Sequence, residues 1–336
     1  MVDRQFKNKQ AMIFDKNKLV SIIIPTYNRI GYFKEALESA LNQTYADIEI
    51  IVCDNASTDD TQVFMTSQTD KRIKYIRHEK PVSYIDNFNS WLNTSTGDFV
   101  CYLTDDDKFE PAFVEKCVKP LINDKSILLV KTGSFIMNEK SVIVGGYLPY
   151  KHSTSSGIQF ILDRINPRYS EFSMLCGYMF RKSDFIKVDG VLVPGEPASH
   201  AADDYLWFRM ALLGGNVKYI NEKLWHYRAH SSNMAVVHSL SDFLNFSNTF
   251  TAKVIALFDK HAWEIDKNVL DYVRNEYGQD LNRTRVLNEI NRNRKSSYFK
   301  ALKFLYVNKK IISEYCGMKR VFLEMVLNLF LLGRTR

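Results

Sequence analysis

Leu19-Val-Ser-Ile-Ile-Ile24 is a nearly unbroken apolar run, rich in β-branched residues and stopped by Pro25. A strand with one wet face alternates polar and apolar residues, whereas a run that is apolar throughout must be covered on both faces. That condition is met by a strand in a parallel sheet with helices packed on either side. The next residues supply a cover: Phe33, Ala36, Leu37, Ala40 and Leu41 recur at helical spacing between Gly31 and Gln43. A second run, Ile48 to Cys53, opens into Asp54-Asn-Ala-Ser-Thr-Asp59, where Ser57 or Thr58 can cap a following helix.

The alternation continues with a strand over 73–76, a helix over about 83–93 and a strand over 98–103 that runs into Thr104-Asp-Asp-Asp107. Strands alternating with helices predict an α/β domain with a mainly parallel central sheet. Ligands of such sheets bind beyond the carboxyl ends of the strands. The polar clusters at Thr26 to Arg29, Asp54 to Asp59 and Asp105 to Asp107 all sit at such ends and are expected to meet in space.

From about residue 127 the pattern loosens. Strands are expected at 127–131, 142–147, 176–180 and 217–220, and helices near 157–165 and 204–213, the latter stopped by Gly214-Gly215. After residue 236 only amphipathic helical patterns remain, at 240–263, 269–291, 298–307 and 318–332. The expected division is a domain over 1–235 and a helical region over 236–336.

Charge follows the same division. The chain of 336 residues carries 45 Lys/Arg and 38 Asp/Glu, and residues 236–336 hold 17 of the basic and 10 of the acidic residues, so the excess of +7 lies entirely there. No apolar run reaches the roughly 18 to 20 residues of a spanning helix, and the first ten residues lack the apolar stretch of a signal peptide. A cytosolic location is expected. Five scattered cysteines without a CxxC pair are read as reduced core thiols.

Three adjacent carboxylates after an apolar strand raise one another's pKa, and a divalent cation relieves this. Oxygen ligands suit Mg²⁺ or Mn²⁺, which keep positions open for substrate phosphates. The structural alternative is a solvated acidic turn in which Asp107 caps the helix opened by Pro111.

Read together, Val20-Ser-Ile-Ile-Ile-Pro-Thr-Tyr-Asn-Arg29, Ile51-Val-Cys-Asp-Asn-Ala-Ser-Thr-Asp-Asp-Thr61, Gly97-Asp-Phe-Val-Cys-Tyr-Leu-Thr-Asp-Asp-Asp107 and Ala202-Asp-Asp-Tyr-Leu-Trp-Phe-Arg209 stand in one order. That order resembles the family 2 inverting glycosyltransferases of the GT-A fold, which build bacterial surface polysaccharides such as O-antigen and capsule. The resemblance covers about residues 18 to 235.

It implies roles residue by residue. Pro25, Thr26 and Tyr27 lie where the family contacts the nucleotide base, and Arg29 reaches base or phosphate. Asp54 matches the carboxylate that accepts the N3–H of uracil or thymine, which makes a UDP-sugar or dTDP-sugar the expected donor. Asp106 matches the metal ligand and Asp105 the residue shared between ribose and metal, with Mn²⁺ or Mg²⁺ as cofactor. Two positions depart from the pattern: Thr104 stands where the family's first aspartate is usual, and Asn55 where a second aspartate is common. Trp225-His-Tyr-Arg-Ala-His230 resembles the Tyr-Arg-x-His segment, giving His230 to the metal or diphosphate and Arg228 to the departing diphosphate. Asp203 and Asp204 match the acidic pair that supplies the general base, and Asp204 is chosen as its second member. Helix capping is the structural alternative for this pair and for Asp59.

Two rival functions are weaker. A nucleotidyltransferase usually shows a Gly-rich basic loop after its first strand, and here no glycine precedes Gly31. A nucleic-acid-binding protein using the basic C-terminal helices leaves the strand-end carboxylates without a task, so no nucleic-acid partner is expected. Residues 283–310 carry nine Lys/Arg against Glu289 alone, interleaved with aromatic and aliphatic residues, and an apolar run over 321–332 follows. That pattern is expected to meet an anionic membrane surface at the inner face of the cytoplasmic membrane, where a lipid-linked glycan acceptor would lie, or to pair with a second copy.

Overall fold

The computed structural model describes residues 18–149, 153–165, 174–190, 202–230, 251–261, 265–276 and 278. The first half alternates as the sequence predicts: β1 (Val20–Thr26), α1 (Ile30–Leu41), β2 (Ile48–Asp54), α2 (Thr61–Thr66), β3 (Ile73–Arg77), α3 (Tyr84–Asn89) with a 3₁₀ turn at Ser90–Asn93, and β4 (Phe99–Tyr102). Then come β5 (Lys108–Phe109), α4 (Phe113–Asn123), β6 (Ile127–Met137), β7 (Ile143–Tyr147), β8 (Thr154–Ser156), α5 (Gly157–Ile165), β9 (Tyr178–Arg181), α6 (Lys182–Lys187), α7 (Ala202–Ala211) and β10 (Asn216–Arg228). Residues 251–260 form α8 and Lys267–Asn275 forms α9.

All ten strands join one sheet in the order β3-β2-β1-β4-β9-β6-β10-β5, with β7 added beside β6 and β8 beside β10. The β3-β2-β1-β4 half is parallel throughout. Beyond β4 the sheet is mixed: β9 runs antiparallel to both β4 and β6, while β10 runs parallel to β6. In β1, Ile22 and Ile24 face one apolar layer with Phe33, Ala36 and Leu37 of α1 and the buried stripe of α4. Ile23 faces the other, with Trp91, Phe160, Phe185 and Trp207. Val254 and Phe258 of α8 and Leu270 and Val273 of α9 belong to this second layer, so the described part of the C-terminal region shares the core beneath the sheet. The remainder of that region, including 283–310 and 321–332, lies outside the described residues, as does Cys316. Cys53, Cys101, Cys117 and Cys176 are buried free thiols, as expected. No helix among the described residues is long and apolar enough to cross a membrane.

One charge sits inside the apolar β2. Glu49 is buried and takes Ser21 Oγ at 2.6 Å, Thr96 N–H at 2.6 Å and Gly97 N–H at 3.0 Å on one oxygen, with Thr96 Oγ1 at 2.9 Å and Lys74 Nζ at 2.6 Å on the other. It ties the amino-terminal ends of β1, β2 and β4 together. Gly97 permits the approach, because a Cβ there would stand 2.4 Å from Ser21 Oγ.

Register places the opposite, carboxyl ends. Thr26 pairs with Asp54, and the Leu103 N–H bonds the Ile23 carbonyl at 2.9 Å, so the loops after β1, β2 and β4 emerge side by side. Immediately after the three aspartates, β5 pairs antiparallel with β10, setting Phe109 opposite Trp225 and Lys108 opposite His226. That pairing carries residues 228–230 to the acidic cluster. The sequence reading stops this strand at residue 220, because the charged and aromatic stretch Asn221 to Arg228 has no clean alternation.

Candidate active site

The three aspartates are buried, which excludes the solvated turn. Asp107 does not cap α4. It accepts Thr104 Oγ1 at 2.6 Å and the Arg228 N–H at 2.9 Å. Asp105 Oδ2 accepts Thr26 Oγ1 at 2.9 Å and the Tyr27 N–H at 3.3 Å. Asp106 Oδ2 lies 3.0 Å from His230 Nε2 and accepts Arg29 Nη1 at 2.8 Å, and the same Nη1 lies 3.3 Å from Asp105 Oδ1. Residues from the ends of β1, β4 and β10 thus converge on Asp106, joining Thr26, Tyr27, Arg29, Asp105, Asp106 and His230.

Electrostatics follow from this crowding. Burial, and then the charge of Asp106, push the Asp105 carboxyl up to about 7. Burial and Asp106 likewise push Asp107 well above the carboxylate range. For Asp106 burial acts in the same direction, but the His230 hydrogen bond and the Arg29 charge outweigh it and hold the group low. The arrangement of one ionised carboxylate, one imidazole and one guanidinium serving as countercharge fits a divalent cation at Asp106 and His230, with remaining positions left for phosphate oxygens. Among the described residues no three His, Cys, Asp or Glu side chains form a closed metal cage.

Other expected residues fall into distinct positions. Pro25 lies within β1 opposite Cys53, and Tyr27 is 47% exposed, leaving its ring open beside Asp105. Asp54 has no accessible surface. Its Oδ1 accepts the Ser57 N–H at 2.8 Å and its Oδ2 accepts the Tyr75 hydroxyl at 2.5 Å, with Arg77 Nε 3.5 Å away. As placed, this carboxylate shapes the loop and offers no edge to a base, whereas its neighbour Asn55 is partly exposed. Asn28 and Ala56 adopt left-handed backbone, with φ of 53° and 59°, where the loops after β1 and β2 are stitched together. Asn28 Oδ1 accepts the Thr58 N–H at 2.7 Å there. Asp59 stands one residue before the N-cap of α2 and accepts the first N–H groups of two helices, Thr61 of α2 at 3.1 Å and Ile30 of α1 at 3.0 Å.

Arg228, expected at the diphosphate, is wholly buried and committed to the Asp106 carbonyl, Ser141 and Glu35. In this conformation its guanidinium has no surface for a phosphate. His226 bonds Glu110 at 2.5 Å and stacks on Phe135, away from the aspartates.

The Asp203–Asp204 pair opens α7. Asp204 forms an ion pair with Arg164 of α5, whose guanidinium also reaches the Tyr178 hydroxyl at 3.2 Å. Burial and then the neighbouring Asp204 raise Asp203 to about 8, with Arg164 only partly opposing this. Arg164, Glu35 and Ser141 have no role in the sequence reading, since none belongs to a motif, and Cys176, read only as a core thiol, accepts the Thr104 N–H at 3.1 Å.

This architecture recurs in solved structures of low sequence identity. S. aureus TarS 1–349 in complex with UDP-GlcNAc aligns with a TM-score of 0.58 at 17% identity, covering 78% of this chain and 72% of that one. The mannosyltransferase PcManGT of Pyrobaculum calidifontis, in complex with GDP-Man and Mn²⁺, gives 0.52 at 15% identity, covering 94% and 88%. The fold is that of the GT-A nucleotide-sugar transferases. Residues 21–186 match the sequence profile described as Glycosyl transferase family 2. An uncharacterized glycosyltransferase of Haemophilus influenzae is 26% identical over 285 residues, spanning 81% of this chain and 78% of the relative. The chain belongs to glycosyl transferase family 2 and is a glycosyltransferase. Other curated relatives are matched over only 14% to 36% of their own length.

Proposed function

We propose that the chain is an inverting, divalent-cation-dependent glycosyltransferase that moves a sugar from a UDP-sugar or dTDP-sugar to a glycan acceptor in surface polysaccharide synthesis. The observation that carries this reading is the convergence on Asp106 of Arg29 at 2.8 Å and His230 at 3.0 Å, from loops at three strand ends. Asp106 and His230 would hold Mn²⁺ or Mg²⁺, which supplies charge neutralisation for the diphosphate when bound. Arg29, paired with both carboxylates and 28% exposed at its side chain, would exchange them for a phosphate oxygen. Tyr27 offers its ring to the base, and Asp105 orients the ribose.

Asp204 takes the proton of the acceptor hydroxyl. Arg164 anchors one of its oxygens, Oδ1, which leaves Oδ2 as the accepting atom. Asp203, raised to about 8, is largely protonated at neutral pH and so does not compete as base. As the acceptor oxygen bonds the anomeric carbon, the bond from that carbon to the diphosphate oxygen breaks and its electron pair leaves with the nucleotide. An α-linked donor therefore gives a β-linked product. The acceptor is proposed to be lipid-linked at the inner membrane face, a reading supported by the basic 283–310 stretch of the sequence.

The test is nucleotide release from a panel of UDP-, dTDP-, GDP- and CDP-sugars, with and without Mn²⁺ and chelator. Metal-stimulated turnover is expected, and confinement to UDP- or dTDP-sugars would require a group other than the enclosed Asp54 to read the base. Undiminished turnover in excess chelator would refute the metal assignment, and preference for GDP-sugars the base assignment.

A further inference from the structure

The middle of helix α1 and the turn between β6 and β7 both reach the acidic cluster through one side chain. Arg228 closes β10 with no surface open to solvent. Its N–H donates to Asp107 Oδ1 at 2.9 Å and its Nε donates to the Asp106 carbonyl at 2.7 Å. The far end of the fork divides: Nη1 donates to Ser141 Oγ at 2.8 Å and Nη2 to Glu35 Oε2 at 3.0 Å. Ser141 Oγ in turn donates to that same Glu35 oxygen at 2.7 Å, closing a three-membered ring of hydrogen bonds. The guanidinium also lies 4.5 Å from the centre of the Tyr32 ring, which lies 5.3 Å from the His230 ring.

These contacts hold both partners of the expected cation site from behind. The bond to the Asp106 carbonyl fixes the peptide from which the Asp106 side chain departs, and Tyr32 walls one flank of His230. Only a planar fork with donors on opposite edges spans the carbonyl, the hydroxyl and the carboxylate at once. The turn is itself rigidly built. Ser141 adopts φ of 60°, which is uncommon outside glycine, and Asn138 Oδ1 accepts the N–H groups of Lys140 at 2.9 Å and Val142 at 3.1 Å.

We propose that Arg228, Glu35 and Ser141 form a positioning triad that sets the spacing of Asp106 and His230, so that residues 35 and 141 govern divalent-cation affinity. The proposal rests on the cation reading given above. Outer partners that orient metal ligands typically change affinity by about 10- to 100-fold when removed.

The experiment titrates the full chain with Mn²⁺, following free Mn²⁺ by electron paramagnetic resonance, and measures UDP affinity separately without metal. Glu35→Leu is expected to weaken Mn²⁺ binding by about tenfold or more, and Ser141→Ala by a smaller factor. Glu35→Gln keeps an oxygen that accepts from Arg228 and Ser141 and recovers most of the affinity. Metal-free UDP affinity stays unchanged in all three. Glu35 is 37% exposed at its side chain and Ser141 lies in a turn, so these variants fold where Arg228→Lys could fail. Wild-type Mn²⁺ affinity in Glu35→Leu and Ser141→Ala, even with a lowered Tm, overturns the triad and leaves the cation reading intact. Absence of Mn²⁺ binding by the unaltered chain overturns both.

Discussion

Replacing Glu49 by glutamine removes the charge from a carboxylate that five donor groups surround at the amino-terminal edge of the sheet. Burial raises the pKa of this group, but Lys74, Ser21 and Thr96 more than offset it and bring it from 4.5 down to about 2. At 1.36 kcal/mol per unit, that gap corresponds to about 3 kcal/mol of stability at neutral pH. The Lys74 side chain is 36% exposed and its share is screened, so the expected loss in Glu49→Gln is about 2–3 kcal/mol. Because the folded pKa is the lower one, the stabilisation is complete above about pH 4.5 and fades as the carboxylate is protonated, with roughly half gone by pH 3. Urea unfolding of both proteins at pH 7 and pH 3 measures this. The wild-type advantage should shrink from about 2–3 to about 1 kcal/mol. A gap that does not change with pH, or a variant as stable as wild type at pH 7, would show that Glu49 acts through packing rather than charge.

Asp106→Ala should abolish transfer with the fold intact, as read by donor hydrolysis and circular dichroism. Asp204→Asn should retain donor affinity and lose turnover, while Asp203→Asn, a near-isostere of the protonated acid, stays active at pH 7. The reverse pattern moves the base to Asp203. A carboxyl raised to about 8 stays protonated in the folded chain while the unfolded one ionises, so wild type loses stability as pH rises from about 4 to 8. Asp203→Asn lacks that slope and gains on wild type over the same range in urea titrations. Gly177→Ala should cost about 3 kcal/mol or more, since Gly177 has φ of 80° and a Cβ there would stand 2.3 Å from Trp225 Nε1. Unfolding midpoints equal to wild type would refute that account.

The first hundred residues are legible because each buried strand is a contiguous apolar run and each helix keeps one stripe. The strand-end clusters point to the candidate site with no knowledge of its geometry. Legibility fails where contacts cross between distant segments. Nothing local announces that Glu49, within an apolar run, has five donors waiting, or that Arg228 points into the protein and not at a phosphate. Asp54 shows the same limit: a loop carboxylate looks available in sequence, and its burial depends on Tyr75 and Arg77 of another strand. Strand β10 runs past its expected end at residue 220 because residues 223–228 pair with β6 on one side and β5 on the other, although the local sequence shows no clean alternation.

The pairing of β10 with β5 also bears on when the chain becomes competent. His230 and Arg228 reach back 124 and 122 positions to Asp106. Contacts so remote in sequence close late, since the entropy of the intervening loop must be overcome before they return any energy. A nascent chain that ends before residue 216 already contains the loops after β1, β2 and β4 and all three aspartates, but lacks the bonds that Arg228 and His230 make to Asp106 and Asp107. On the proposed roles of Asp106 and His230, sugar transfer would be acquired only once these late contacts have closed.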